Sequence, residues 1–208
     1  MRRIADGLRA AAAVAVFLAA AFGVYLVAAG GPGSSGLSLA PAGGPAAAGA
    51  IVPAGLTIPS IGVDTTVEPR GTVTYDNPFT GQTVAGYGVP ESLGTTSWWS
   101  DGPQPGSGQM AVLLGHQQNG GEAVFNRLHE LRSGDQVLLR DADGAVLTLQ
   151  VLGEPLTGLD KATSALSDAL NGHPADADVA LVTCGGEFDD AAGTSTTNTV
   201  VFASVAGG

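Results

Sequence analysis

Gln136-Val-Leu-Leu-Arg140, Asp141-Ala-Asp-Gly144 and Ala145-Val-Leu-Thr-Leu-Gln-Val-Leu152 stand in direct succession. Two runs of β-branched and aliphatic residues flank a polar stretch ending in Asp-Gly, the composition of a tight reversal between antiparallel strands. Outward from this hairpin, similar short segments recur between turn signals. They are Leu56–Ile58 ending at Pro59, Gly62–Val67 running to Pro69, and Gln82–Gly88 behind a loop with Asn77-Pro78. Met110–Leu114, Asp178–Thr183 and Thr199–Ser204 complete the set. Met110–Leu114 is continuously apolar and predicts a buried strand. Helical spacing is confined to Ala123–Arg132, where Val124, Leu128 and Leu131 share a face ahead of Ser133-Gly134, and to Thr163–Leu170. Eight short strands at this spacing predict an all-β domain, a closed barrel or a sandwich, and periodicity does not separate the two.

The chain has 208 residues and a formal charge of −11, distributed unevenly. Arg2, Arg3 and Arg9 stand against Asp6 in the first 50 residues, while residues 51–208 carry 18 acidic and 5 basic side chains. A domain at −13 repels phosphate, which excludes nucleic acid as a partner. Cys184 is the single cysteine, so neither an intramolecular disulfide framework nor a multi-cysteine metal site is possible. No metal and no other cofactor is expected.

Residues 10–29 form an uncharged run of 20, half of it alanine. At about 1.5 Å per residue it spans roughly 30 Å, the hydrocarbon thickness of a bilayer. Residues 1–9 carry the arginines and nothing charged follows until Asp64, so the positive-inside rule keeps the N-terminus cytoplasmic and sends the rest outside. The run predicts a single transmembrane signal anchor at the cell membrane. A cleaved signal peptide, with Val27-Ala28-Ala29 as cleavage site, is the alternative, but its apolar core is ordinarily about 7–15 residues. Residues 30–50 are Gly, Pro, Ala, Ser and Leu without charge and predict a flexible linker. Residues 51–208 remain as one extracellular domain, long enough to bury a core.

Cys184 directly follows the apolar strand Val179-Ala-Leu-Val-Thr183 and precedes Gly185-Gly186. A buried cysteine acting as a small hydrophobe is one reading. The strand end and the two glycines, which leave the sulfur open, favour a nucleophile. A free thiol is only a few per cent thiolate at neutral pH and needs a basic or cationic neighbour. His116 ends the strand Ala111-Val-Leu-Leu-Gly115 and mirrors the position of Cys184, so two strand ends bring imidazole and thiol to one rim. His129, on the polar face of the first helical stretch, and His173, in Asn171-Gly-His-Pro174, read as solvent-exposed. Histidine before cysteine does not fit papain-like or amidase-type peptidases. L,D-transpeptidases share the order, but their Ser-x-Gly-Cys-x-Arg context differs from Thr183-Cys184-Gly185-Gly186.

Several segments in order resemble the sortases, most of all the class F sortases of Gram-positive actinobacteria. They are Leu56-Thr-Ile-Pro-Ser-Ile-Gly-Val63, the aromatic loop Trp98-Trp-Ser-Asp-Gly-Pro-Gln-Pro-Gly106, and Met110-Ala-Val-Leu-Leu-Gly-His116. Ala123–Leu131 with Gly134-Asp135, Leu181–Asp189 and Asn198–Ala203 follow. The resemblance implies a closed eight-stranded β-barrel with a few short helices. It also implies a cysteine transpeptidase that cleaves a Leu-Pro-x-Thr-Gly (LPXTG) type sorting signal between Thr and Gly. The acyl group passes through a Cys184 thioester to a cell-wall peptide amine, with His116 as general acid and base. The family's arginine on the strand after the cysteine is missing, because Thr194-Ser-Thr-Thr-Asn198 occupies that stretch. The Asn198 amide, with the Thr197 hydroxyl, is the expected replacement as oxyanion donor. Thr183 is an expected substrate contact, and Trp98 and Trp99 either line the substrate groove or anchor the core. A secreted cysteine hydrolase and a wall-binding barrel with a weakened site are the competing functions.

Overall fold

The computed structural model describes residues 46–47 and 49–207. The expected segments 1–9 and 10–29, and most of 30–50, lie outside the described residues. Among the described residues no helix is long and apolar enough to cross a membrane.

Eight strands close into a barrel: β1 (Gly55–Ile58), β2 (Val63–Arg70), β5 (Thr96–Trp99), β6 (Ala111–Gly115), β9 (Val179–Asp189), β10 (Thr194–Val205), β8 (Val146–Asp160) and β7 (Gln136–Arg140), in that spatial order. Closure removes the sheet edges that would otherwise need protection. The β7–β8 reversal forms where the composition places it. Asp141 Oδ1 accepts from the N–H groups of Asp143 and Ala145 at 3.0 and 2.8 Å, and Gly144 takes φ +88°.

The count of eight is as expected, but one member differs. Gln82–Gly88 supplies β4 (Thr83–Tyr87), which is not in the barrel: it pairs with β3 (Thr72–Asp76) as a separate two-stranded sheet. Its place is taken by β5, inside the segment read as an aromatic loop. β5 runs parallel to β2 in the register Val67↔Thr96 and antiparallel to β6. All four of its residues are buried, so no alternation marks it as a strand. The stretch Ala123–Arg132 is a chain of turns with one 3-10 turn at Leu128–Glu130, and α1 covers Ala165–Asn171. The last residues of the expected linker are docked. Ala47 N–H donates to Val146 O at 2.9 Å, and Ala47 packs against the core.

Along β6 and β9 successive residues enter two different cores. Ala111, Leu113, Val179 and Leu181 point into the barrel with Leu56, Val137, Leu149 and Phe125. Val112, Leu114, Ala180, Val182 and Cys184 face outward and are covered by Leu166 and Leu170 of α1 and by Tyr87 of β4. Burial on both faces explains why these strands read as continuous apolar runs.

Candidate active site

β6 and β9 are parallel neighbours in the register Leu113↔Leu181 and Leu114↔Val182. β6 ends at Gly115; extended by two residues, its register would align His116 with Cys184, which shares the outward face with Val182. His116 directly follows the end of β6 as expected, but the strand end expected at Cys184 is absent, because β9 continues through the Gly185-Gly186 bulge to Asp189. On the other side, Asn198 of β10 is the direct antiparallel partner of Cys184. The crossing is locked by Thr183, whose hydroxyl donates to Gly115 O at 2.8 Å. Gly115 is required there, because a Cβ would stand 2.4 Å from the Phe125 ring.

Cys184 is reduced and 3% exposed. Immediately after it β9 takes up one extra residue: Thr197 pairs with Gly185, but Ser195 pairs with Phe188. Gly186 supplies the left-handed turn of this bulge at φ +74°. A Cβ on it would meet Thr197 Oγ1 at 2.8 Å, so the glycine pair lets the threonine hydroxyls of β10 pack closely on the β9 backbone just after the thiol.

An open cavity of about 400 Å³, within the range of small-ligand sites, is lined in part by Cys184. Thr183, Cys184, Gly185, Gly186, Thr197 and His129 are among its lining residues. Thr197 Oγ1 is buried in this wall without a hydrogen-bond partner. Asn198 differs: its side chain is fully buried, and Nδ2 donates to Thr183 O at 3.2 Å. His116 is also buried and does not line the cavity. Its Nε2 lies 2.9 Å from Pro90 O. A carbonyl only accepts, so Nε2 carries its proton and Nδ1 is the nitrogen left for proton exchange.

Pro90 is held in turn by a carboxylate knot. Glu68 accepts from Thr95 Oγ1 at 2.6 Å, from Arg70 at 2.6 Å and from Glu91 N–H at 3.2 Å. Partial burial pulls the Glu68 pKa up, but these bonds outweigh it and hold the carboxyl below its ordinary value.

Trp98 and Trp99 are core anchors. Trp98 packs inside the barrel with Nε1–H donating to Pro103 O at 3.0 Å. Trp99 stacks edge-on against Tyr87, with ring centroids 5.1 Å apart. Neither lines the cavity at the thiol. His129, read as merely exposed, does line it, and His173 does not. Among the described residues no group of three metal-ligating side chains is present.

One residue went unread. Lys161 follows β8, is 1% exposed, and donates from Nζ to Cys184 Sγ at 3.2 Å and to Thr194 Oγ1 at 3.0 Å. The one signal in the sequence is that it is the sole lysine of the chain.

Residues 56–206 match the family described as Sortase, a sortase domain. A comparison with curated proteins returns no match. Among solved structures, sortase A from Corynebacterium diphtheriae is similar at 16% identity and a TM-score of 0.48, over 74% of this chain and 60% of that one. The chain therefore spans three fifths of that protein's length. Sortase C-1 from Actinomyces oris is similar at 19% identity and 0.47, over 72% and 70%. Listeria monocytogenes sortase A is similar at 18% and 0.47, over 74% and 86%. With the matched segment running from β1 past the end of β10, and so taking in every strand of the barrel, the chain belongs to the sortase family.

Proposed function

We infer that this chain is a membrane-anchored transpeptidase of the class F type that cleaves LPXTG-type sorting signals between Thr and Gly and joins the acyl part to a cell-wall peptide amine. The observation that supports this reading is the cavity lined by Cys184 and Thr197 beside the end of the parallel β6–β9 pairing, whose register, extended by two residues, would align His116 with Cys184. Cys184 Sγ attacks the threonyl carbonyl carbon, and His116 Nδ1 delivers a proton to the departing glycine amine and later takes one from the acceptor amine. Thr197 Oγ1, unpartnered in the cavity wall, is the better placed of the two expected oxyanion donors. Asn198 stands beside it with its amide engaged on Thr183 O. Residues 10–29 anchor the barrel, which faces the wall from outside the cell.

The test is product analysis of the full chain with an LPXTG peptide, with and without diglycine. Transpeptidation yields a Thr-Gly-Gly product only when diglycine is present. Free threonyl acid in equal amount with and without diglycine assigns the chain to the hydrolases instead.

A further inference from the structure

Lys161 sits in the closed part of the barrel wall with two hydrogen-bond partners, the Cys184 sulfur and the Thr194 hydroxyl. A buried ammonium survives only beside a compensating charge; otherwise it sheds its proton. Among the described residues every ion pair forms elsewhere, on Arg70, Arg127 and Arg132. The carboxylates on the surrounding elements are also engaged. Asp160 at the end of β8 accepts from Ala162 N–H, Asp168 of α1 from Ser164 Oγ, Asp178 from Val205 N–H, and Asp189 of β9 from Ala191 and Ala192 N–H. Thr194 brings no charge, and the imidazole of His116 is bonded to Pro90 O. The sulfur is the one group in contact with Nζ able to carry the countercharge.

Nζ donates to the sulfur at 3.2 Å and to Thr194 Oγ1 at 3.0 Å, the arrangement of an ammonium set directly against a thiolate. We propose that Lys161 is a catalytic residue: its ammonium, steadied by Thr194, pairs with Cys184 as a thiolate and keeps the sulfur ready to attack. This rests on the reading of Cys184 as the acyl-accepting nucleophile. The thiol proton resides on Nζ. A sulfur lone pair forms the S–C bond while the carbonyl π pair moves to oxygen. Collapse breaks the C–N bond, and the amine leaves with a proton from the His116 imidazolium. Attack of the acceptor amine on the thioester breaks the S–C bond and returns the electron pair to sulfur, with the surplus proton going back to His116. Lys161 keeps its charge throughout, and no outside reactant enters.

The test is alkylation of Cys184 by iodoacetamide in the detergent-solubilised full chain, followed by intact mass from about pH 5 to about pH 10, together with thermal unfolding. The variants are K161M, K161R and T194V. The parent reacts at about pH 6 at least about tenfold faster than K161M, whose rate rises only in the alkaline range of an ordinary thiol. K161R, which keeps the charge, retains the low-pH rate, and T194V falls between. A folded K161M with the parent's pH profile overturns the proposal. If K161M does not unfold cooperatively, T194V decides: a slower low-pH rate supports the pair and an unchanged one removes it. Recovery of an acyl group as an amide on Lys161 also overturns it, since that requires a neutral amine. A parent that alkylates as expected but transfers no LPXTG acyl group removes the transpeptidase reading and leaves the Lys161–Cys184 pair standing.

Discussion

Gly186→Ala tests how the β9 bulge presents the thiol. Gly186 holds φ +74°, a region that costs an L-residue about 1–2 kcal/mol. The added Cβ would lie 2.8 Å from Thr197 Oγ1 and 2.9 Å from Thr196 Oγ1, an overlap worth about 1–3 kcal/mol of repacking. The total is about 2–5 kcal/mol. In a domain of this length each kcal/mol moves Tm by about 2–4 °C, so scanning calorimetry should register a fall of about 4–20 °C. Gly185→Ala is the internal comparison. Its backbone is not left-handed, and its Cβ would meet Thr199 Oγ1 at 3.0 Å and Thr197 Oγ1 at 3.3 Å, so a loss of about 1–2 kcal/mol is expected. The Gly186 clash falls on the hydroxyl assigned to the oxyanion, so acylation by an LPXTG peptide should also drop at least about tenfold at a temperature where both proteins are folded. A Gly186→Ala protein that melts with the parent and acylates at the parental rate refutes the reasoning.

Further outcomes are expected at neighbouring positions. Thr197→Val removes an unpartnered buried hydroxyl, so it should leave Tm unchanged or slightly raised while cutting acylation by about 10²-fold, read by stopped-flow or quenched mass spectrometry. Asn198→Ala should do the reverse, losing about 1–3 kcal/mol in urea unfolding because Thr183 O loses its buried donor, with acylation changed less than about tenfold per folded molecule. Glu68→Gln weakens the knot behind Pro90 and should cost about 1–2 kcal/mol at neutral pH. The Glu68 pKa is depressed in the folded state, so its contribution is present above the ordinary carboxylate value and disappears as pH falls through the folded one. Parent and variant melting curves should therefore converge in acid, and curves that stay apart at low pH would contradict the assignment. His116→Asn should reduce transfer by about 10²–10⁴-fold with little change in alkylation of Cys184, because the imidazole serves the leaving amine rather than the sulfur.

The barrel was legible because its signals are local. The Asp141–Gly144 reversal fixes β7 against β8, and the double burial of β6 and β9 shows as unbroken apolar runs. The exchange of β5 for β4 was not legible. Four buried residues carry no alternation, whereas Thr83–Tyr87 has the composition of a strand and is one, in a different sheet. Cys184 and His116 stand out because each follows an apolar run, but the strand end expected at Cys184 is a misreading: β9 continues through the Gly185-Gly186 bulge to Asp189. Lys161 could not be read from the sequence, since it reaches Cys184 only through the register of β8 on β10, which is shifted by bulges at Asn198/Val200 and Val200/Phe202. The tryptophans illustrate the same limit: their residue type suits a groove or a core equally, and only the three-dimensional packing decides.

The most direct measurement is intact-mass analysis of the full chain quenched in acid during turnover of an LPXTG peptide. The account predicts a mass increment equal to the peptide's acyl portion through threonine, mapped to Cys184, removed by added diglycine and missing in Cys184→Ala. Sorting-signal cleavage that proceeds in Cys184→Ala, or in the parent without any sulfur-bound intermediate under conditions that preserve thioesters, would contradict it.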